Sequence, residues 1–86
     1  MKIAFDPARD ASNRLKHGVS LELGRWVVAE ARATLRDERF DCGERRYVAF
    51  GYVTERLYAC VYTVRDEATR IISVRKANAR EVAKYG

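Results

Sequence analysis

Four cationic side chains lie where the last strand predicted in this 86-residue chain leads into the final helix: Arg70, Arg75, Lys76 and Arg80. A guanidinium group can bind phosphate through two parallel hydrogen bonds, so these residue types at such a junction are suited to holding a phosphate group. An ordinary solvated row of charges would have the same composition. The two interpretations differ in what the neighbouring strand and helix place beside the cations.

A second set of polar residues belongs to the strand before this one. Strand alternation places Thr63 and Arg65 on one face of that strand. The same rule places Ser73 and Arg75 on one face of the next strand. If the register of the hairpin brings these faces together, four polar groups converge at an edge of the sheet. The alternative is a solvated sheet face with ordinary charges.

The final helix continues the row of cations at four-residue spacing, through Lys76, Arg80 and Lys84. Side chains at this spacing share one helix face, and Lys76 joins the other two only if the helix begins early. Glu81 lies beside them and completes a capping-box pattern with Asn78. Glu81 is therefore a candidate for proton transfer as well as a cap. A solvated stripe is the alternative.

The only histidine, His17, follows Lys16 at the end of the first predicted helix. Because imidazole exchanges protons readily, His17 is a second candidate for proton transfer, with a purely structural role as the alternative. Trp26 and Phe50 are predicted to anchor the core. Four tyrosines suit sheet packing and base stacking equally well. They are Tyr47, Tyr52, Tyr58 and Tyr62.

The composition indicates one folded domain that spans residues 1–86. Hydrophobic residues make up 48% of the chain and charged residues 34%, with one Pro and five Gly. The 17 Lys and Arg residues exceed the 12 Asp and Glu residues, which gives a net charge of +5, and 13 of the cations are Arg. This excess favours a nucleic acid or an acidic protein partner, although codon bias in a GC-rich genome would also raise the number of arginines.

The cysteines and the apolar pattern bear on the cellular location. Cys42 and Cys60 lack CxxC spacing, and a single histidine leaves too few ligands for a zinc site. The start of the chain is interrupted too soon for a signal peptide, and no apolar run approaches the roughly 20 residues of a membrane span. We therefore expect a cytoplasmic protein with reduced thiols, no structural metal and no cofactor.

The N-terminal third is predicted to form a short strand and two helices. The strand spans residues 2–5, and Asp6 caps a helix that runs from Pro7 to about His17, where Gly18 ends it. Ser20 can cap a second helix, whose apolar residues recur at near-helical spacing. They are Leu21, Leu23, Trp26, Val27 and Ala31.

The rest of the chain is predicted to form an antiparallel meander closed by a helix that runs from Asn78 to Tyr85 and Gly86. Within the last strand, alternation turns Ile72 and Val74 toward the core. The fold class is α+β, with the helices packed on one face of a sheet of three to four main strands. These strands span residues 34–40, 46–53, 57–64 and 69–76, with a turn at 41–44.

Several catalytic motifs are missing from the sequence, including a Gly-rich phosphate loop, a nucleophile elbow and a carboxylate cluster for two metals. RNA cleavage needs none of them, because the 2′-hydroxyl of RNA can attack the adjacent phosphate. A protein then has to hold the reacting geometry, move protons and stabilise added negative charge.

Several segments occur together in a characteristic order and spacing. They are Lys16-His17-Gly18-Val19-Ser20, Val61-Tyr62-Thr63-Val64-Arg65, Arg70-Ile71-Ile72-Ser73-Val74-Arg75-Lys76-Ala77-Asn78, and Arg80-Glu81 with Tyr85. This combination resembles the BrnT family of toxins, the small ribonuclease partners of BrnA antitoxins. Two positions depart from the family pattern. The residue before Asp-Pro is usually aromatic and often Trp, and here it is Phe5. Val64 stands where Glu is often found.

The resemblance implies a RelE-like fold and a metal-independent endoribonuclease that inhibits translation. It also implies neutralisation by a BrnA-type antitoxin with a ribbon-helix-helix domain, in a hetero-oligomer that represses its own promoter through operator DNA. A non-catalytic basic module that binds nucleic acid or the antitoxin is the alternative.

The residues and the resemblance together give a hypothesis for the site. Arg65 and Arg75 bind the scissile phosphate and its developing charge, while Thr63 and Ser73 orient it. The catalytic candidates are Arg65, Arg75, Arg80, Glu81 and His17, and the RNA-binding candidates are Thr63, Arg70, Ser73, Lys76, Lys16, Lys84 and Tyr85.

Overall fold

Two helices precede a run of four consecutive strands and a third helix follows it, so the predicted α+β fold class is confirmed. The computed structural model describes residues 1–37 and 44–86. In chain order its elements are β1 (Ile3–Ala4), α1 (Pro7–His17), a 3-10 turn (Leu21–Leu23), α2 (Gly24–Ala29), β2 (Ala31–Asp37), β3 (Arg46–Val53), β4 (Arg56–Arg65), β5 (Ala68–Lys76) and α3 (Ala79–Tyr85). Within these two ranges, no helix is long and apolar enough to cross a membrane.

The first helix has the two caps that its sequence predicts. The Asp6 side chain accepts a hydrogen bond from the backbone N–H of Ala8 at 2.9 Å, and Pro7 occupies the first turn. Gly18 ends the helix with a φ of 74°, a backbone conformation that glycine adopts without steric cost. Its N–H donates to the carbonyl of Arg14 at 2.9 Å, which satisfies one of the free carbonyls of the last turn.

The second predicted helix is shorter than its apolar pattern indicates. Ser20 caps only the 3-10 turn, and α2 begins at Gly24, where an added Cβ would lie 2.9 Å from a side-chain carbon of β5. With so few residues, α2 buries Val27 and leaves Trp26 55% exposed, so the prediction that Trp26 anchors the core is wrong. Ala31 begins β2 and does not belong to the helix.

The strands form one mixed sheet in the order β1-β5-β4-β3-β2. β2 to β5 run antiparallel as the predicted meander, whereas β1 pairs in parallel with β5 through Ile3 and Thr69. The described sheet therefore has five strands instead of three to four. β2 begins at Ala31, earlier than predicted, and the end of that predicted strand and most of the predicted turn at 41–44 lie outside the described residues.

Two apolar cores occupy opposite faces of the sheet. Cys60 is buried against Val27 of α2, whereas its neighbour Ala59 belongs to the cluster that packs against Tyr85 of α3. Because consecutive strand residues point to opposite faces, α2 and α3 lie on opposite sides of the sheet. The prediction that the helices share one face is therefore wrong. Phe50, predicted to anchor the core, is 3% exposed and packs on the α3 side.

A β-bulge in β5 changes which residues face the core. Ile71 and Ser73 pair with consecutive residues of β4, which leaves Ile72 as the extra residue. Ile71 and Val74, which flank this part of the strand, are consequently buried, at 1% and 0% exposure. Ile72 is only half-buried, so the prediction that it faces the core beside Val74 is wrong. Strict alternation fails here because the bulge inserts one residue into the ladder.

Candidate functional site

α3 covers only part of the sheet face on which it packs. It covers one end, where the rings of Tyr85 and Phe50 stack with 4.4 Å between their centroids. The rest of this face, which we call the open sheet face, continues through Val48 and Val61, which pair with each other, to Thr63. Two recesses lie on it: the α3 cleft beside α3, and the Thr63 pocket toward the opposite end of the strands.

The α3 cleft has a volume of about 340 Å³ and brings together five of the predicted site residues. These are three cations, Arg75, Arg80 and Lys84, with Glu81 and Tyr85. Arg80 and Lys84 are exposed on α3, whereas Arg75 reaches the cleft from β5. The remaining lining residues are Leu35, Arg36, Asp37, Val48 and Phe50.

Arg75 is fixed in this cleft by a bidentate ion pair with Glu81. Its Nη1 and Nη2 donate to Oε1 and Oε2 of Glu81 at 2.7 and 2.8 Å, and Nη1 also donates to the carbonyl of the exposed residue Lys76 at 3.3 Å. Oε1 of Glu81 also accepts from the N–H of Asn78 at 2.9 Å, and Asn78 Oδ1 accepts from the N–H of Glu81 at 2.8 Å. The predicted capping box is confirmed, and one carboxylate ties the start of α3 to β5.

The same contacts keep Glu81 ionised. The hydrogen bond from Arg75 lowers the pKa of the Glu81 carboxyl, and this effect, with that of the Asn78 N–H, outweighs the opposing effect of partial burial. A carboxyl with a lowered pKa is a weak base and has no proton to donate at neutral pH. The geometry therefore favours a role for Glu81 in orienting Arg75 over the proton transfer that its sequence position suggested.

The Thr63 pocket has a volume of about 130 Å³ and is rich in arginine. Arg70 pairs directly with Thr63, so both side chains belong to the open sheet face. Strict alternation would have placed Arg70 and Ser73 on opposite faces, and the bulge at Ile72 places them on the same one. The pocket is lined by Asp6, Arg9, Glu44, Arg46, Thr63, Arg65, Arg70, Ile71 and Ile72.

Thr63 and Arg65 are among the residues of this pocket that already have partners. Thr63 is 3% exposed, and its Oγ1 donates to the carbonyl of Arg45 at 2.7 Å. Because this hydrogen bond uses the hydroxyl proton and links β4 to the residue before β3, Thr63 stabilises the sheet and does not present a donor to a phosphate. Arg65 forms an ion pair with Glu44, and both side chains remain partly exposed.

The structure separates the two arginines that the sequence hypothesis placed on one phosphate. Arg65 pairs with Ala68, whereas Arg75 pairs with Ala59, six residues earlier along β4. At roughly 3.3 Å per residue, these two positions of the ladder are about 20 Å apart. Arg65 belongs to the Thr63 pocket and Arg75 to the α3 cleft.

Lys16, His17 and Ser73 border a third recess of about 140 Å³ between α1 and β5. None of the residues that line it also lines the α3 cleft. Asn13, which sequence analysis overlooked, fixes α1 at this edge of the sheet. Its Nδ2 donates to the carbonyl of Val74 at 2.9 Å, and its Oδ1 accepts from the N–H of Val74 at 3.2 Å. Asparagine is intrinsically unfavourable inside a helix, so its position within α1 was the feature of the sequence that could have indicated this role.

Sequence analysis also missed Arg9 and Asp37. Arg9 lines both the Thr63 pocket and the third recess, because α1 packs along β5. Asp37 is 7% exposed and lies directly opposite Arg46 in the ladder, where opposite charges are favourable. No group of three His, Cys, Asp or Glu side chains within residues 1–37 and 44–86 is arranged to hold a metal ion.

Comparison with known families gives one match over most of the chain. A family model described as "Ribonuclease toxin, BrnT, of type II toxin-antitoxin system" matches residues 5–81. This span includes the Thr63 pocket and, within the α3 cleft, Arg75, Arg80 and Glu81. A search of curated proteins found no match.

Proposed function

Because the chain belongs to the BrnT family of ribonuclease toxins of type II toxin-antitoxin systems, we propose that it cleaves RNA in the α3 cleft. The 2′-hydroxyl of the substrate attacks the adjacent phosphate, and the 5′-oxygen of the next nucleotide leaves. This reaction requires positioned positive charge and proton transfer, and we propose that it proceeds without a metal ion or cofactor.

The observation that carries this proposal is the Arg75–Glu81 pair within a cleft that three further cations line, namely Arg36, Arg80 and Lys84. Glu81 accepts one hydrogen bond from each Nη atom of Arg75, so the guanidinium and its positive charge are held in one orientation in the cleft. Arg80 and Lys84 lie one helical turn apart on α3 and reach the same cleft. Arg75 and Arg80 hold the phosphate and the charge that develops on it, and the ring of Tyr85 provides a surface for a base.

Cleavage of a labelled RNA in EDTA tests this assignment. Loss of a positioned cation costs on the order of 10² to 10³ in rate, so Arg75→Ala and Arg80→Ala should each slow cleavage by about that factor. Arg56→Ala is the matched control, because Arg56 lies on the opposite face of β4 and lines neither recess of the open sheet face. The products should carry 2′,3′-cyclic phosphate ends, and DNA of the same sequence should stay intact.

Three outcomes would contradict this proposal: dependence on added metal, cleavage of DNA, or unchanged rates in both variants. Binding that weakens steeply with salt and gives no cleavage products would instead identify a non-catalytic nucleic-acid-binding module. The thermal stability of each variant controls for loss of fold.

The biological setting that we propose follows from the family. The protein would act in the cytoplasm, where it would cleave RNA and so inhibit translation. Its fold would be RelE-like, with the active site on one face of the sheet. A BrnA-type antitoxin with a ribbon-helix-helix domain would neutralise it and carry the complex to operator DNA. Growth arrest on expression, relieved by the product of the adjacent gene, would support this proposal, and harmless accumulation of the folded protein would contradict it.

A further inference from the structure

We propose that the Thr63 pocket is a second phosphate-binding subsite, which holds the RNA chain at a point away from the scissile phosphate. This inference rests on the proposed function of the α3 cleft. Both recesses lie on the open sheet face, so one RNA strand can cross the face and occupy both. The pocket would then contribute to substrate affinity, while the α3 cleft carries the chemistry.

Charge is the first reason for this assignment. Four arginines and two carboxylates line the pocket, which leaves an excess of two positive charges in a volume of about 130 Å³. One of these carboxylates, Asp6, is engaged as the cap of α1 through its hydrogen bond with the N–H of Ala8. Arg9 and Arg70 are exposed and come from different elements, α1 and β5, so they can approach a phosphate from two sides.

The ion pair between Arg65 and Glu44 is the second reason. A carboxylate and a phosphodiester both present anionic oxygens to a guanidinium, so Glu44 occupies the position in which RNA phosphate would bind Arg65. Both partners are partly exposed, at 53% for the Arg65 side chain and 31% for Glu44. An exposed pair of this kind is weak, and a phosphate can replace the carboxylate.

Spacing is the third reason. Arg70 pairs with Thr63, and Arg75 pairs with Ala59, four residues away along β4. At about 3.3 Å per residue this separation is roughly 13 Å. The rise of a stacked strand is about 3.4 Å per nucleotide, so the two subsites would engage phosphates on the order of two to four nucleotides apart, depending on how extended the strand is. A dinucleotide can therefore fill the α3 cleft alone, whereas a longer strand can fill both.

Binding to fully 2′-O-methylated RNA tests the subsite, because such RNA lacks the attacking hydroxyl and reports affinity without cleavage. The Arg9→Ala/Arg70→Ala double variant should bind a decanucleotide at least 10-fold more weakly than the parent does, and a dinucleotide equally well. For the decanucleotide, the slope of log affinity against log salt should fall by about 0.7 for each phosphate that the variant no longer neutralises. Glu44→Gln should change affinity in the opposite direction and tighten decanucleotide binding. Arg56→Ala, which removes one positive charge from the opposite face of β4, serves as the control and should alter binding much less.

Cleavage kinetics separate this inference from the proposed function. With a cleavable decanucleotide, the double variant should raise KM and leave kcat near the parent value, whereas Arg75→Ala should lower kcat. If the parent cuts RNA and the double variant has parental affinity and KM, the second subsite is refuted and the proposed function stands. If the parent binds RNA through Arg9 and Arg70 but cuts none, the proposed function alone fails. If the double variant lost affinity equally for the dinucleotide and the decanucleotide, the second subsite would also be refuted.

Discussion

Replacing Glu81 with glutamine removes one negative charge from the α3 cleft and keeps the size of the side chain. The change weakens both hydrogen bonds to Arg75, at 2.7 and 2.8 Å, because glutamine offers one neutral acceptor in place of two anionic ones. The bond from the N–H of Asn78 loses its charged acceptor as well. We expect Glu81→Gln to lower both the stability of the protein and the rate of RNA cleavage.

The loss of stability can be worked from these contacts. A hydrogen bond to a charged group contributes about 1.5 to 3 kcal/mol, but the Arg75 side chain is 38% exposed and solvent screens the pair. After this discount we expect a loss of about 1 to 2 kcal/mol at neutral pH, and each kcal/mol lowers the Tm of a domain this size by roughly 4 to 8 °C. The pKa of Glu81 is lowered by folding, so this stability is present above the usual glutamate pKa and is lost as the pH falls through the folded pKa.

Thermal unfolding across pH and single-turnover cleavage measure the two effects. The difference in stability between the parent and Glu81→Gln should be largest near neutral pH and should disappear in acid. Cleavage at neutral pH should lose kcat with little change in KM, because Arg75 keeps its charge but is no longer held in one orientation. Glu55→Gln, an exposed carboxylate in the β3–β4 turn, is the matched control and should change neither quantity. A difference in stability that persists in acid, or parental kcat in a folded variant, would refute the positioning role of Glu81.

Three further predictions concern the scaffold. Asn13→Ala should cost about 2 to 4 kcal/mol in chemical denaturation, because the buried N–H and carbonyl of Val74 lose their partner, and a loss below about 1 kcal/mol would contradict this account. Gly51→Ala should destabilise the fold by about 1 to 3 kcal/mol, since its Cβ would lie 2.4 Å from the carbonyl oxygen of Val27, and parental stability would show that α2 can shift. Burial raises the pKa of the Cys60 thiol to about 12, so mass spectrometry should find this residue unalkylated in the native protein at mildly alkaline pH and alkylated after unfolding.

Features that depend on neighbours in sequence were predictable. The cap at Asp6, the terminator at Gly18 and the capping box of Asn78 with Glu81 each involve residues only a few positions apart, and all three are present. The strands of the meander were also predictable, because alternation of apolar and polar residues indicates a half-buried strand. The cationic cluster of the α3 cleft followed from the same local patterns, since β5 leads directly into α3.

Features that depend on distant pairing were not predictable. The bulge at Ile72 arises from the register of β4 against β5, and it moves Arg70 onto the open sheet face. The separation of Arg65 from Arg75 likewise follows from which residues pair, and no pattern within one strand contains that information. The side of the sheet on which α3 packs is decided by contacts such as the stacking of Tyr85 on Phe50.

The α3 cleft exists only because a very short helix is held in place by the sheet. α3 spans seven residues, and isolated helices shorter than about 12 to 15 residues are marginal in water. Its stability must come from the capping box, the stacking of Tyr85 on Phe50 and the ion pair of Glu81 with Arg75. The bond that fixes the helix is also the bond that orients the guanidinium. Ordering α3 and assembling the proposed site are therefore coupled, so any contact that stabilises α3 on the sheet also contributes to the geometry of the proposed reaction.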